Sequence, residues 1–273
     1  MLYNSYNERK CFFVFNLIII LISTLNSEPK DSNNYKIAKY IIDNITTLEN
    51  CTLTELAKKC YVSNSSISRF CTDIGLEDFN ALKNQITQFP YAQKIAREKF
   101  NFKEYDSHSL SKSYIESVTQ NLNTMNTASL DKDIKKIVKD IQQYDKIAVF
   151  GYLQSTNIAL DLQYDLQTNR KIVFTRIKFK EQVEYIRQAD EHTLLIIFSD
   201  SGTYFDRVFQ RMQPFKDLKH KPKICMITSS STQSVPYIDH YIRYNGRNDY
   251  ATHPFPMMVI AKLICLQYAK SIE

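Results

Sequence analysis

The segment Thr52–Phe70, TLTELAKKCYVSNSSISRF, decides the fold of the first part of the chain. Thr52 and Glu55 have the spacing of a capping box, in which two residues satisfy each other's free backbone N–H groups at the start of a helix. Ser63 is a residue type that caps a second helix. The segment therefore predicts two short helices joined by a turn.

Small and apolar residues in this segment indicate its buried side. Ala57 is small at the point where the second helix crosses the first, and Val62 is expected to be buried in the turn. Ile67 and Phe70, three residues apart on the second helix, are expected to face the core. This arrangement is a helix-turn-helix, and it leaves the polar residues of the second helix facing outward.

These outward residues have the chemistry of a DNA-reading surface. Short Ser and Asn side chains allow a helix to approach phosphates and base edges, and Arg69 can pair with guanine O6 and N7 or with a phosphate. Thr54, Lys58 and Lys59 can contact flanking phosphates. On the second helix we expect DNA contacts from Ser63, Asn64, Ser65, Ser66, Ser68 and Arg69. The alternative is a plain helical hairpin with a solvated polar face.

Helical spacing of apolar residues extends on both sides of this motif, from Tyr35 to about Phe89. Pro29 and Pro90 are predicted to bound the region, because proline lacks the N–H that a helix interior needs. We expect a compact helical domain covering residues 1–90.

An apolar stretch near the N-terminus, Cys11 to Leu25, follows Lys10 in the manner of a signal peptide. The stretch is short for a membrane-spanning helix, and it ends without a cleavage site of small residues. We therefore predict that it forms a packed first helix.

The apolar pattern changes in the second half of the chain. Apolar runs too short for helices alternate with amphipathic segments of helix length, which is typical of parallel strands buried on both faces. The predicted strands are Ile147 to Phe150, Ile172 to Phe174, Leu194 to Phe198, Ile224 to Ile227 and Tyr241 to Tyr244. With a terminal helix from Met257 to Ala269, they predict an α/β domain with a doubly wound, mainly parallel five-stranded sheet over residues 131–273. Residues 91–130 are expected to be a linker that contains helix.

Composition narrows the class of protein. The 273 residues carry a formal net charge of +6 with a pI near 8.8, which favours a polyanionic partner. Only 4 glycines are present, which is few for an enzyme whose phosphate loops need close backbone approach. The six cysteines form no CxxC pair and no histidine lies at zinc-finger spacing from them. We therefore expect no metal site, no cofactor and reduced, structural cysteines in a cytoplasmic protein.

Hydroxyl-rich segments follow three of the predicted strands, at Gly151–Ser155, Ser199–Thr203 and Thr228–Thr232. In an open parallel sheet, ligands bind at the carboxyl ends of the strands, where helix N-termini present N–H groups to anions. The sequence therefore predicts a ligand site at this edge of the sheet.

The helical region resembles a known family. Three segments are similar to the N-terminal domain of RpiR/MurR-family transcription regulators: Leu53–Ala57, Val62–Leu76 and Phe79–Lys83. The resemblance covers about Tyr35 to Ile86. It implies a further helix that supports the reading helix and ends at Lys83, which is thereby added to the expected DNA contacts.

The same resemblance implies a C-terminal SIS domain, a fold similar to sugar-phosphate isomerases, and with it a sugar-phosphate effector. The segment from Ser199 resembles the family's Ser-x-Ser-Gly-x-Thr/Ser phosphate loop, and the segment from Gly151 resembles its Gly-x-Gly-x-Ser turn. The implied sugar-phosphate-binding residues are Gly151, Ser155, Ser199, Ser201, Gly202 and Thr203. Two positions depart from the pattern. Leu153 replaces the second glycine, and Thr203 directly follows Gly202, which leaves Tyr204 at the usual final hydroxyl position.

Three functional hypotheses stay open at this point. The first is a transcription regulator of sugar or amino-sugar metabolism genes, which binds a duplex DNA operator as a homodimer or higher homo-oligomer, away from membranes, and responds to a phosphorylated sugar. The second is a regulator with a relict pocket, whose SIS domain only dimerises. The third is a sugar-phosphate isomerase, for which the candidate groups are Glu181, Glu184, His192 and His253. None of them lies in a recognisable catalytic motif, so we expect that the protein is not an enzyme.

Overall fold

The computed structural model describes residues 17–100, 108–125, 127–209, 215, 219–231, 234–246 and 251–273. The chain divides into two compact units. The first ends at Phe100 and also takes in Lys178–Lys180, and the second is formed by the rest of the chain after residue 100. The predicted succession of a helical region and an α/β region is confirmed.

The first unit is helical. Its helices are α1 (Leu17–Ser27), α2 (Asn33–Asn44), α3 (Leu53–Lys59), α4 (Asn64–Asp73) and α5 (Phe79–Phe100), with a 3-10 turn at Ile45–Thr47. The side chains of Ile41, Leu56, Ile67 and Phe70 are at most 1% exposed and close the core between the helices. Burying a side chain of this size stabilises the fold by about 1.5–3 kcal/mol.

The apolar N-terminal stretch is a packed helix from Leu17 onward, as predicted. Leu17 and Leu21 are fully buried, and Ile20 is nearly so. Residues 11–16 of the predicted helix lie outside the described residues.

Pro90 does not end a helix, so the boundary predicted there is wrong. Helix α5 continues through Pro90 to Phe100. Proline removes only its own N–H donor, and the earlier turns of α5 are held in the core by the buried side chains of Leu82 and Ile86. The predicted domain limits at residues 90 and 130 stay proposals.

The second half of the chain alternates helices and strands. Its helices are α6 (Leu110–Asn123), α7 (Thr127–Gln143), α8 (Gln154–Thr168), α9 (Phe179–Gln188), α10 (Tyr204–Phe209) and α11 (Pro254–Ile272), and its strands are β1 (Lys146–Gly151), β2 (Thr193–Phe198), β3 (Lys223–Thr228) and β4 (His240–Arg243). All four strands are parallel, in the order β1-β2-β3-β4.

The expected fifth strand is reduced to a single bridge. Phe174 pairs with β1 through two hydrogen bonds, from Val149 N–H to Phe174 O and from Phe174 N–H to Ile147 O, both 2.8 Å. The run is short, and the side chains of Ile172 and Phe174 are 67% and 43% exposed, so only Val173 anchors it. The bridge lies on the side of β1 that does not pair with β2. The order across the sheet is therefore the Phe174 bridge, β1, β2, β3 and β4, so the chain continues on opposite sides of β1, as in a doubly wound fold.

Helices cover both faces of the sheet, which is why its strands are nearly continuous apolar runs. On one face, α7, α8 and α11 pack over Val149, Ile196 and Ile227. On the other face, the ring of Phe150 lies 5.4 Å from that of Tyr185 on α9. Every residue of β2 is buried.

Helix α11 is the one helix in the described part of the chain whose length and composition would allow it to cross a membrane. Four of its side chains, Met257, Ile260, Ala261 and Ile264, are fully buried against the sheet. Their spacing of three and four residues places them on one face of the helix. This face packs in the core, while Met258 and Leu266 on the same helix are exposed.

Candidate functional site

The candidate reading helix, α4, begins with a cluster of hydroxyl groups. Ser63 caps the helix by accepting a hydrogen bond from the N–H of Ser66 at 3.1 Å. The Oγ of Ser63 also lies 2.8 Å from that of Ser65 and 2.9 Å from that of Ser66. The N-terminus of α4 therefore carries three hydroxyls beside free backbone N–H groups, an arrangement that favours an anion.

Side-chain hydrogen bonds hold the start of α4 in place. Asn64 Nδ2 donates to Thr54 Oγ1 at 3.2 Å, which joins the first turns of α3 and α4. Asn33 Nδ2 on α2 donates to Ser66 Oγ at 3.3 Å. These bonds tie the start of α4 to α3 through Thr54 and to α2 through Asn33.

The outer face of α4 is polar and exposed. Ser65, Ser68 and Arg69 are exposed, and Ser66 is half-buried. Ser68 Oγ also donates back to the carbonyl of Asn64 at 3.3 Å. Ile67 and Phe70 are fully buried on the opposite side, as predicted. The helix therefore presents a hydrophilic face while its apolar face fixes it to the unit.

The first helix of the motif has the predicted capping box. Thr52 N–H donates to Glu55 Oε2 at 2.8 Å, and Glu55 N–H donates to Thr52 Oγ1 at 3.2 Å. The hydrogen bond from the Thr52 backbone is the main reason that the pKa of Glu55 is lowered, and the charges of Lys59 and Lys83 add to it. Lys83, which is half-buried on α5, therefore lies near the start of α3. Lys58 is exposed in the last turn of the same helix.

The turn between α3 and α4 differs from expectation in two ways. Ala57 is buried, but Val62 is only half-buried, so the prediction that it is buried in the turn is wrong. Val62 N–H bonds to the carbonyl of Ala57, which closes the end of α3, while the turn leaves part of the valine in solvent. Tyr61, which the sequence argument passed over, has a φ of 55° and is 93% exposed. The sequence signal that could have singled out Tyr61 is a large aromatic residue within a predicted tight turn.

The predicted ligand segments of the second unit come together at the carboxyl edge of the sheet. Gly151 is paired with Phe198, so the turn after β1 lies beside the loop after β2. The loops after β2 and β3 are joined directly, because Thr228 Oγ1 and Ser229 Oγ donate to the carbonyl of Asp200 at 2.9 and 3.1 Å. The three segments form one continuous surface.

Gly151 is placed where no side chain fits. A Cβ added there would lie 2.4 Å from the carbonyl oxygen of Ser155 in the first turn of α8. The Gly151 carbonyl accepts hydrogen bonds from Thr156 Oγ1 at 2.9 Å and from Gln182 Nε2 at 3.0 Å. The start of α8 is therefore packed tightly onto the end of β1.

Leu153 has a backbone conformation that is typical of glycine. Its φ of 56° and ψ of −119° lie in a region that glycine adopts freely and other residues rarely do. Holding a residue there costs about 1–3 kcal/mol. The turn thus has a glycine-type conformation with a leucine side chain, half-buried, at the edge of the candidate site.

The hydroxyls of the predicted sugar-phosphate site fall into two groups. Ser155 in the turn after β1 and Ser199 in the phosphate loop are buried, at 6% and 7% exposure, so they shape the site from within. Ser201 and Thr203 are half-buried, as is Gly202, and the two hydroxyl oxygens lie 2.8 Å apart. Gly202 has a φ of 72°, and a Cβ there would meet Ser230 at 3.1 Å. Ser201 and Thr203 are therefore the hydroxyls of this loop that a ligand can reach.

Tyr204 does not take the role of the missing final hydroxyl. The residue is 2% exposed, and its OH donates to Gln182 Oε1 at 2.7 Å. Burial raises the pKa of this phenol, which stays protonated. Because Thr203 stands one position earlier than the usual final hydroxyl of the motif, Thr203 lies at the loop surface and Tyr204 is buried in the core.

Asp200 introduces a carboxylate into the loop, which sequence reasoning did not address. Its Oδ1 accepts from the Tyr244 hydroxyl at 2.6 Å, and its Oδ2 lies 3.2 Å from His253 Nε2. Burial by itself would raise the pKa of Asp200, but the His253 and Tyr244 contacts outweigh it and the pKa is lowered. Both carboxylate oxygens are therefore occupied within the protein, which limits their repulsion of an anion at the loop.

The four candidate groups for an isomerase differ in their surroundings. Glu181 and Glu184 are exposed on α9. His192 directly precedes β2 and so lies at the amino end of the sheet, opposite the loop that begins at Ser199. His253 contacts Asp200.

Comparison with known proteins finds a similarity for the first unit. Residues 21–94 match the model of the helix-turn-helix domain of the rpiR family. The chain is also 30% identical over 134 residues to an uncharacterized HTH-type transcriptional regulator of Caldanaerobacter subterraneus subsp. tengcongensis, a match that covers 46% of this chain and 45% of the relative. The chain thus spans less than half of the curated relative that it matches.

Two solved structures have a related shape at low similarity. One is the Vibrio vulnificus NanR protein complexed with ManNAc-6P, with a TM-score of 0.44 and 16% identity over 94% of this chain and 92% of that one. The other is the sugar isomerase domain of the RpiR transcription factor from Sphaerobacter thermophilus, with a TM-score of 0.40 and 16% identity over 59% and 87% of the two chains. At similarities this low, what those proteins bind does not carry over to this chain.

Proposed function

We propose that the protein is a transcription regulator that binds duplex DNA, because residues 21–94 match the model of the helix-turn-helix domain of the rpiR family. The observation that carries the proposal is the build of α4. Its N-terminus is capped and joined to α3, its apolar face is buried, and its outer face is hydrophilic. A rigid helix with these properties suits the major groove, where side chains near the helix start contact base edges.

The proposed DNA contacts divide by chemistry. Arg69 can pair bidentately with guanine, and Ser65 and Ser68 are short enough to let α4 approach the bases. Lys58, Lys83 and the hydroxyls of Thr54 and Ser63 are assigned to phosphates. Asn64 and Ser66 are assigned to either.

We propose that the α/β unit binds a phosphorylated sugar and dimerises. Ser201 and Thr203 would hold the phosphate, while Gly151, Ser155, Ser199 and Gly202 shape the loops around it. A homodimer places two reading helices on successive half-sites of a near-palindromic operator in the cytoplasm. The effector acts by binding unequally to the DNA-bound and free arrangements. Sugar or amino-sugar metabolism genes are the proposed targets.

The DNA-binding proposal is tested by fluorescence anisotropy. The purified chain is titrated into a duplex from its own upstream region and into a scrambled duplex, at two salt concentrations. Arg69→Ala should reduce the preference for the first duplex by about 1–3 kcal/mol, whereas Lys58→Ala should weaken both alike.

A matched control for charge loss is Lys135→Ala, an exposed lysine on α7 in the other unit, which should leave both affinities unchanged. If Arg69→Ala weakened the affinity for both duplexes equally, Arg69 would contact a phosphate and not a base. Absence of any salt-dependent binding by the wild type would overturn the proposal.

The effector proposal is tested by repeating the titration with a panel of phosphosugars. One sugar phosphate should shift the affinity for DNA, and Ser201→Ala should remove the shift while leaving DNA binding in the absence of sugar unchanged. Ser111→Ala, an exposed serine on α6 outside the three hydroxyl-rich segments, is the matched control. Selective DNA binding that no sugar changes would favour the alternative in which the α/β unit only dimerises.

We propose no catalytic role. Sugar-phosphate isomerisation needs a carboxylate base and a second group at the same substrate. Glu181 and Glu184 are exposed on α9, and His192 lies at the opposite end of the sheet from the phosphate loop. Turnover of a phosphosugar that Glu181→Gln abolishes would refute this assignment.

A further inference from the structure

The turn of the helix-turn-helix contains a residue in an unfavourable conformation. Tyr61 has a φ of 55°, in the left-handed region that bulky residues seldom adopt. Its N–H bonds to the carbonyl of Lys58 at 3.2 Å, so the conformation is part of the turn that ends α3. Glycine would form the same turn without the steric cost.

Packing in the free protein does not compensate this cost. The side chain of Tyr61 is 93% exposed, the highest value among the exposed large hydrophobic residues of the described chain. A large, nearly fully exposed ring gains little from burial. A strained residue whose side chain contributes little to its own fold is a candidate for a contact with a partner.

The position of Tyr61 indicates which partner. The residue lies two positions before Ser63, the cap of α4, and follows the exposed Lys58 and Lys59. When the start of a reading helix enters the major groove, the turn that precedes it lies at the rim, where the sugar-phosphate backbone runs. A phenol hydroxyl there can donate to a phosphate oxygen.

We propose that the hydroxyl of Tyr61 donates a hydrogen bond to a phosphate of duplex DNA at the rim of the groove that α4 occupies. The inference rests on the proposed DNA binding and adds a contact to it. Because the phenol is neutral, it displaces no counterion, unlike a lysine at a phosphate. Tyr61 therefore strengthens binding to any sequence without adding to its salt dependence.

The test uses the full-length protein and a labelled random-sequence duplex, with anisotropy titrations across a range of salt concentrations. Tyr61→Phe removes only the hydroxyl and should weaken binding about three- to tenfold at every salt concentration, with an unchanged slope of log affinity against log salt. Lys58→Ala should instead reduce that slope by about one. Tyr164→Phe, which removes the hydroxyl of an exposed tyrosine on α8, is the control and should bind like the wild type.

A second variant separates the contact from the fold. Tyr61→Gly should raise the thermal unfolding midpoint, since glycine relieves the backbone strain, while weakening DNA binding at least as much as Tyr61→Phe. Wild-type affinity in Tyr61→Phe would overturn the inference, whatever Tyr61→Gly does, and would leave the proposed function standing. A wild-type protein that binds no duplex at any salt concentration would overturn both.

Discussion

Replacing Gly151 with alanine tests how tightly the candidate ligand turn is built. The added Cβ would lie 2.4 Å from the carbonyl oxygen of Ser155 and 2.5 Å from its carbonyl carbon. Both are backbone atoms of the first turn of α8, so a rotamer change cannot relieve the overlap. The start of α8 has to move away from the end of β1.

The size of the effect follows from what that movement breaks. Overpacking at such a site costs about 1–3 kcal/mol. The Gly151 carbonyl also accepts hydrogen bonds from Thr156 and Gln182, each of which contributes about 1 kcal/mol and is weakened by the shift. We expect Gly151→Ala to lower the free energy of unfolding of the α/β unit by about 2–4 kcal/mol, and to abolish any response to phosphosugars.

The assay is urea unfolding followed by circular dichroism, with Gly246→Ala as the matched control. A Cβ at Gly246 would first meet the ring edge of Tyr244 at 3.3 Å, a much smaller overlap than the 2.4 Å contact at Gly151. The control should lose less than about 1 kcal/mol. Equal stabilities of the two variants would refute the argument that the end of β1 requires glycine.

Two further predictions concern a buried histidine and the strained leucine. Burial lowers the pKa of His240 below 6.5, although Asp133 lies 3.2 Å from its ring. The unfolded chain therefore takes up a proton first as the pH falls, and the free energy of unfolding should decrease as the pH drops through about 6.5. His240→Gln should remove this part of the pH dependence in urea titrations and the exposed His192→Gln should not; identical pH profiles would contradict it. Leu153→Gly should be more stable than Leu153→Ala by about 1–3 kcal/mol in thermal unfolding, and the reverse order would show that φ of 56° is not strained.

Local sequence patterns were sufficient for the helix-turn-helix. The capping box of Thr52 and Glu55, the cap at Ser63 and the buried pair Ile67 and Phe70 depend on residues at most four apart, and the structure has all of them. Short-range hydrogen bonds and helix periodicity decide such features without help from distant parts of the chain. The same holds for the strands, whose apolar runs show that both faces are covered.

Features that depend on packing between distant segments required the tertiary structure. Pro90 carries a strong local signal for a helix end, yet α5 continues because its preceding turns are anchored in the core. The segment ending at Phe174 has the composition of a strand, but one side of it faces solvent and only one bridge forms.

The candidate ligand site shows the same division. Sequence alone located its three hydroxyl-rich segments, because each follows a recognisable strand. The final hydroxyl of the loop motif stands one position early, at Thr203. Only the structure shows the consequence, which is that Tyr204 is buried against Gln182 while Thr203 lies beside Ser201. The contacts of Asp200 with Tyr244 and His253 join residues at least 44 positions apart. Only the folding of the sheet brings such residues together, since no local pattern links them.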